Sequence, residues 1–99
     1  MQGRTDAVTA DLAALTEALA ETPRDAALLN NRCWVRAVAG RELEVALADC
    51  NAALLIEPGN ANALDSRALV HLKRGALDDA LRDYEAALAL TPNEGHYLY

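Results

Sequence analysis

Apolar residues recur every three or four positions in three separate stretches of this chain. The first holds Val8, Leu12, Leu15, Ala18 and Leu19. The second holds Leu43, Ala46, Leu47, Cys50, Ala53 and Leu54, and the third Leu77, Ala80, Leu81, Tyr84, Ala87 and Leu88. Such spacing puts each set on one face of an α-helix. Each stretch runs into a proline that cannot continue the helix, at Pro23, Pro58 and Pro92. The prolines lie 35 and 34 residues apart. Self-similarity at that period predicts stacked helical repeats, in which each unit buries its apolar face only against its neighbours.

Two further helices are predicted between these stretches, near residues 26–39 and 61–74. Asp25 and Asn60 precede them, where a short polar side chain caps free N–H groups. Gly40 and Gly75 follow them, where a left-handed residue is wanted. Short connections make consecutive helices antiparallel neighbours. The expected fold is therefore all-α, with one helix near 5–21 followed by two antiparallel helix–turn–helix repeats. Expected boundaries are a capping helix or half repeat at 1–22, repeats at 23–57 and 58–91, and the truncated start of a further repeat at 92–99. Leu98 falls 34 residues after Leu64, which makes the tail read as a first helix cut short and the chain as a fragment. Asp11 stands where the later second helices carry Ala46 and Ala80, so the first helix reads as an end cap with nothing packed before it.

Composition narrows the function. The chain has 99 residues, enough for one small domain, with 15 acidic and 9 basic side chains and a formal net charge of −6. An acidic chain lacks the basic face that nucleic acid requires, and an anionic membrane surface would repel it. No apolar run is long enough to cross a bilayer, and no signal peptide is visible. No compartment can be assigned. Nothing assembles a catalytic centre: there is no Gly-rich phosphate loop and no serine with an evident histidine partner. His71 and His96 show no ligand spacing with the cysteines, and no metal site or cofactor is expected. The acids read as solvated helix faces, among them Asp78, Asp79 and Asp83, with Asp78 able to pair with Arg82. Glu42 and Glu44 stand at a helix start, where they favour the positive end of its dipole. His71 reads as a structural residue.

The series Leu64, Ala68, Gly75, Leu77, Ala80, Tyr84, Ala87, Pro92 resembles the tetratricopeptide repeat in its spacing. The preceding unit matches through Leu29, Leu43, Ala46, Ala53 and Pro58, with one extra residue near Ala39-Gly40-Arg41. The resemblance covers essentially the whole chain, and repetition makes it specific. Sel1-like units are longer and richer in glycine, and pentatricopeptide units bind RNA. Departures are Arg32 and Arg67 at usually apolar places, Arg36 and His71 where tyrosine is common, and Cys33 and Cys50. The Asn-Arg-small variant and the alanine- and arginine-rich usage fit a bacterial origin.

The resemblance implies a right-handed superhelical stack of about two and a half units, whose first helices line a concave groove. That groove would receive Ala27, Asn30, Asn31, Trp34 and Val38 from one unit, and Asn62, Asp65, Ser66, Leu69 and Lys73 from the next. Asparagine amides both donate to and accept from an extended backbone, and Trp34 offers the largest apolar anchor. Trp34 could instead fill space between helices. One branch of the family clamps acidic chaperone tails with groove lysines. Those are missing here and Asp65 would repel a carboxylate, which favours a neutral or mildly basic extended segment. The expected role is a protein or peptide scaffold. Alternatives are a spacer or regulatory module of a larger enzyme, and a homo-oligomer formed head to tail through the open C-terminal end beyond Ala86 and Leu90. Cys33 and Cys50 lie on facing sides of one unit and are candidates for a disulfide, or for two small buried thiols.

Overall fold

The computed structural model of the chain describes residues 2–90, and five α-helices occupy most of them: α1 (Gln2–Glu21), α2 (Ala26–Ala39), α3 (Leu43–Ile56), α4 (Ala61–Lys73) and α5 (Leu77–Leu90). The boundaries follow from local chemistry. Asp25 is extended, and its carboxylate accepts from the Leu28 N–H at 3.2 Å. Asn60 does the same for the Ala63 N–H at 3.0 Å. Each thus satisfies an N–H that the first turn leaves unpaired. At the other ends, Gly40 and Gly75 take φ of 69° and 82°, the left-handed region that lets the last carbonyls find donors. The start of α3 carries no such signature. Glu42 precedes it at φ 50°, uncommon for an L-residue, and gives its carboxylate to Arg36 Nε at 2.8 Å rather than to the helix end. That guanidinium holds the Glu42 carboxyl below its usual range. The stop at Pro92 and the expected further repeat at 92–99 lie outside the described residues.

The helices pack as two pairs, α2 on α3 and α4 on α5. The pairs are stacked so that α4 lies against both α2 and α3, and α1 lies on α2. Alanine makes this closeness possible. Ala37 of α2 meets Ala46 of α3 with no exposed surface, and Ala68, Ala80 and Ala87 are buried on α4 and α5. Small side chains on facing helices let the backbones approach, so a core forms without any Phe. Leu19, Leu29, Ala53 and Ala63 form one cluster where α1 to α4 converge, and Cys33, Ala37, Ala46, Cys50 and Val70 form a second. Cys33 and Cys50 are joined as a disulfide across the α2–α3 seam, with Cα atoms 5.6 Å apart and both side chains fully buried.

Two expectations about charge are corrected. Asp83 is not on a solvated face: it is 6% exposed and lies between α4 and α5, where both carboxylate oxygens accept from Arg67 at 2.8 Å. Arg82 pairs with Asp79, three residues back, at 2.9 Å, and not with Asp78. The first correction repeats along the chain. Asp49, 5% exposed, accepts from Arg32 through both oxygens at 2.8 Å and from Arg36 at 3.1 Å. Each arginine also reaches the second helix of the unit before. Arg32 donates to Thr16 Oγ1 at 3.3 Å, and Arg67 donates to Asn51 Oδ1 at 2.9 Å. Thr16 and Asn51, Arg32 and Arg67, and Asp49 and Asp83 are corresponding positions, 35, 35 and 34 residues apart. One arginine per unit thus clasps three helices. This accounts for the two arginines at usually apolar positions: a bidentate pair to a buried carboxylate satisfies the charge that would otherwise make burial costly.

Candidate functional site

The first helices of the two units, α2 and α4, lie side by side, and their shared outer face is a shallow groove. Asn30, Asn31 and Trp34 of α2 face Asn62, Asp65 and Ser66 of α4 around a space of about 350 Å³. Three of these side chains come from successive turns of α2 because residues three and four apart share a face. Asn31, Trp34 and Asn62 are exposed, Trp34 by 46%, so the indole is not a filler between helices. Ser66 differs. It is buried and donates to Asn30 Oδ1 at 2.6 Å, which ties α4 to α2 and makes it part of the groove floor. Asn30 retains its amide donors.

Asp65 gives the groove its charge. It is partly covered, and burial pushes its carboxyl above the ordinary range. The Tyr84 phenol is pushed up by its own burial and, secondly, by the nearby Asp65 charge. A partly desolvated carboxylate at the groove edge favours a ligand bearing donors or positive charge over another anion.

Val38, Leu69 and Lys73 do not join this groove. Val38 lies at the end of α2, where it joins Val8, Asp11, Trp34 and Val35 in lining a second cavity of about 540 Å³ between α1 and α2. Asp11 is exposed at its edge. Leu69 is half-buried against the Cys33–Cys50 cluster. Lys73 is exposed, with Nζ 3.4 Å from the Val38 carbonyl. The α1–α2 cavity is the larger, but the α2–α4 groove holds the amides that an extended backbone could pair with, and Trp34 borders both. Ala27 is exposed on α2.

Sequence reasoning missed the paired positions behind the groove. Asp49 and Asp83 recur at the repeat period together with Arg32 and Arg67, and that coincidence was the available signal. Their charges are consumed within the fold, so they carry structure and not ligand contact. Among the described residues, no three His, Cys, Asp or Glu side chains gather into a metal-holding group. No helix there is long and apolar enough to cross a membrane.

Residues 61–94 match the family model of the tetratricopeptide repeat. The chain is 36% identical over 84 residues to the DnaJ homolog subfamily C member 7 homolog of Dictyostelium discoideum, a match covering 81% of this chain and 15% of that protein. It is 43% identical over 65 residues to tetratricopeptide repeat protein 34 of Mus musculus, covering 66% of this chain and 11% of the relative. The human protein of that name is 47% identical over 49 residues, covering 50% of this chain and 9% of the relative. The chain therefore spans no more than 15% of the length of these relatives.

Proposed function

Because the chain is a tetratricopeptide-repeat protein, with two helix pairs stacked at the repeat period, we propose that it is a protein-interaction module holding an extended segment in the α2–α4 groove. The observation that carries this reading is the exposed indole of Trp34 beside the amides of Asn30, Asn31 and Asn62. An extended segment has a free N–H and C=O at every residue. Carboxamides can answer both, while an aromatic platform supplies apolar contact at low entropic cost. The Asp65 carboxylate disfavours an acidic segment and favours a neutral or mildly basic one. The groove contains no lysine among its six lining residues, which argues against the clamping of acidic tails. Its reading is that of a scaffold and not of an enzyme.

Trp34 is the only tryptophan in the chain, so its fluorescence reports binding beside it, and the Asn30 and Asn62 substitutions distinguish the groove from the α1–α2 cavity. The test is a titration with ten-residue synthetic peptides of matched composition carrying net charges of −3, 0 and +3. Saturable change with the neutral or basic peptides is expected, weakened at least about tenfold by Asn30→Ala with Asn62→Ala, a loss of about 1.4 kcal/mol. Preference for the acidic peptide, or unchanged affinity in the double variant, would overturn the reading.

A further inference from the structure

We propose that the outer side of α3 is an interface between two copies of this chain, which pair antiparallel about a two-fold axis. Val45, Ala48, Ala52 and Leu55 form a row along that side, at spacings of three, four and three. Val45 is 45% exposed and Leu55 84%, while Ala48 is exposed and Ala52 half-buried. The opposite side of the helix, with Ala46, Cys50 and Ala53, is fully buried. The helix is therefore apolar on both sides, whereas a helix with a solvent face is ordinarily polar there. The other two second helices differ at the corresponding positions. On α5 these are Asp79 and Arg82, paired at 2.9 Å, followed by Ala86 and Ala89. On α1 they are Ala10, Ala13, Glu17 and Ala20. Of the three, α3 alone has a row without charge and with bulky apolar side chains at its ends.

Two observations make a second copy the occupant. The first is the order of sizes. Val45, Ala48, Ala52 and Leu55 run large, small, small, large. A two-fold axis near residue 50 therefore sets Val45 against Leu55 of the other copy, and Ala48 against its Ala52. Each copy contributes the same row, as an isologous contact requires. Alanines at the centre let the two helices approach closely, and the branched side chains pack at either end. The second observation is charge. The chain carries a formal −6, so two copies repel across most of their surface. Around α3 the acids are already answered. Glu44 is held by Arg74 at 2.9 Å, Asp49 by Arg32 at 2.8 Å and Arg36 at 3.1 Å, and Glu42 by Arg36 at 2.8 Å. Asn51, beside the row, is neutral and accepts from Arg67 at 2.9 Å.

Other arrangements of two copies fit less well. Contact through α5 would set the exposed Asp78 and Glu85 against acids of the same kind. A parallel pairing of α3 would align the two helix dipoles unfavourably. One helix on one helix is at the small end of interface sizes, so the dimer is weak and forms with concentration. The residues lining the α2–α4 groove all lie on α2 and α4, so the pairing leaves both grooves open. On the groove function proposed above, a dimer then offers two sites to one ligand.

The test is sedimentation equilibrium of the intact chain from micromolar to millimolar concentration. The mass should rise toward that of a dimer, and more so in high salt, which screens the repulsion between two acidic chains. Val45→Lys and Leu55→Glu should each weaken the dimer at least about tenfold, since each puts a charge into an apolar contact. Mixed in equal amounts, the two variants should associate better than either alone. The antiparallel register brings the substituted positions together at one end of the mixed pair and keeps Val45 on Leu55 at the other. Trp34→Ala and Leu81→Glu should leave the mass nearly unchanged, because the groove and α5 are separate surfaces. Val45 and Leu55 are exposed, and circular dichroism should confirm that their variants fold as the parent does. A chain still monomeric at millimolar concentration in high salt would overturn the proposal. So would a mixture no better than its components, or a dimer lost in Leu81→Glu and kept in Leu55→Glu.

Discussion

Replacing Arg67 with methionine should cost distinctly more stability than replacing Arg32, although the two occupy the same place in successive units. Methionine keeps most of the aliphatic stem, so the comparison isolates the guanidinium. Loss of Arg32 leaves Asp49 facing Arg36, a full guanidinium at 3.1 Å. Loss of Arg67 leaves Asp83, with 9% of its side chain exposed, facing only the His71 imidazole at 3.6 Å among the described residues. Removing one partner of a buried pair costs about 3–5 kcal/mol when the remaining charge is stranded. Arg67 retains 27% side-chain exposure, so some solvent reaches the pair and the lower end applies, about 3 kcal/mol. For Arg32 the stranding is largely absent, and about 1–2 kcal/mol remains for the lost charged hydrogen bonds. A chain of this length has roughly 5–15 kcal/mol in total, so both effects are measurable. The assay is thermal unfolding followed at 222 nm, where each kcal/mol moves Tm by about 4–8 °C. Arg67→Met should therefore melt at least about 4 °C below Arg32→Met. Repeating the pair with both cysteines changed to alanine removes any bias from the staple in the first unit. Equal losses, or a larger loss for Arg32, would refute the argument that a second guanidinium is what spares Asp49.

Reduction of the Cys33–Cys50 bond, which closes a span of 17 residues, should lower stability by about 3 kcal/mol on the chain-entropy account; denaturant melts with and without dithiothreitol, alongside intact mass without reductant, measure it. Gly40→Ala should destabilise by about 1–2 kcal/mol through its left-handed backbone alone, since a Cβ there meets nothing within 4 Å; a urea-midpoint shift well above that range would indicate a clash instead. Asp65→Asn should raise stability at neutral pH and have no effect in acid. Burial raises the folded-state value of this carboxyl above 3.8, so its penalty is absent below the unfolded value and complete once pH has risen through the folded one. The sign is opposite for Glu42, whose folded value lies below 4.5: its contribution is present above that value and is lost as pH falls through the lower folded one. Melting profiles of Asp65→Asn and Glu42→Gln across pH 2–7 check both directions.

The helices, their caps and the repeat were legible because they rest on local chemistry. Apolar spacing of three and four, Asp25 and Asn60 before a helix, and Gly40 and Gly75 after one act within a few residues, and the structure places helix ends there. The period of 34 or 35 also carried the stacking, because a unit with one apolar face can bury it only on a neighbour. What escaped was which polar residues meet. Asp78, Asp79 and Asp83 look alike in sequence, yet one is exposed and has no ion-pair partner among the described residues, one holds Arg82, and one is buried under Arg67. Their fates depend on the rotation of α5 against α4, which no local signal sets. The same holds for the groove: the family resemblance implied ten residues of α2 and α4 along it, and packing then turned Leu69 toward the core and Val38 toward α1. Sequence determined the elements and their repetition, since those follow from interactions within one helix. Only the tertiary structure decided the pairings and the exposed faces, since these depend on the relative orientation of helices distant along the chain.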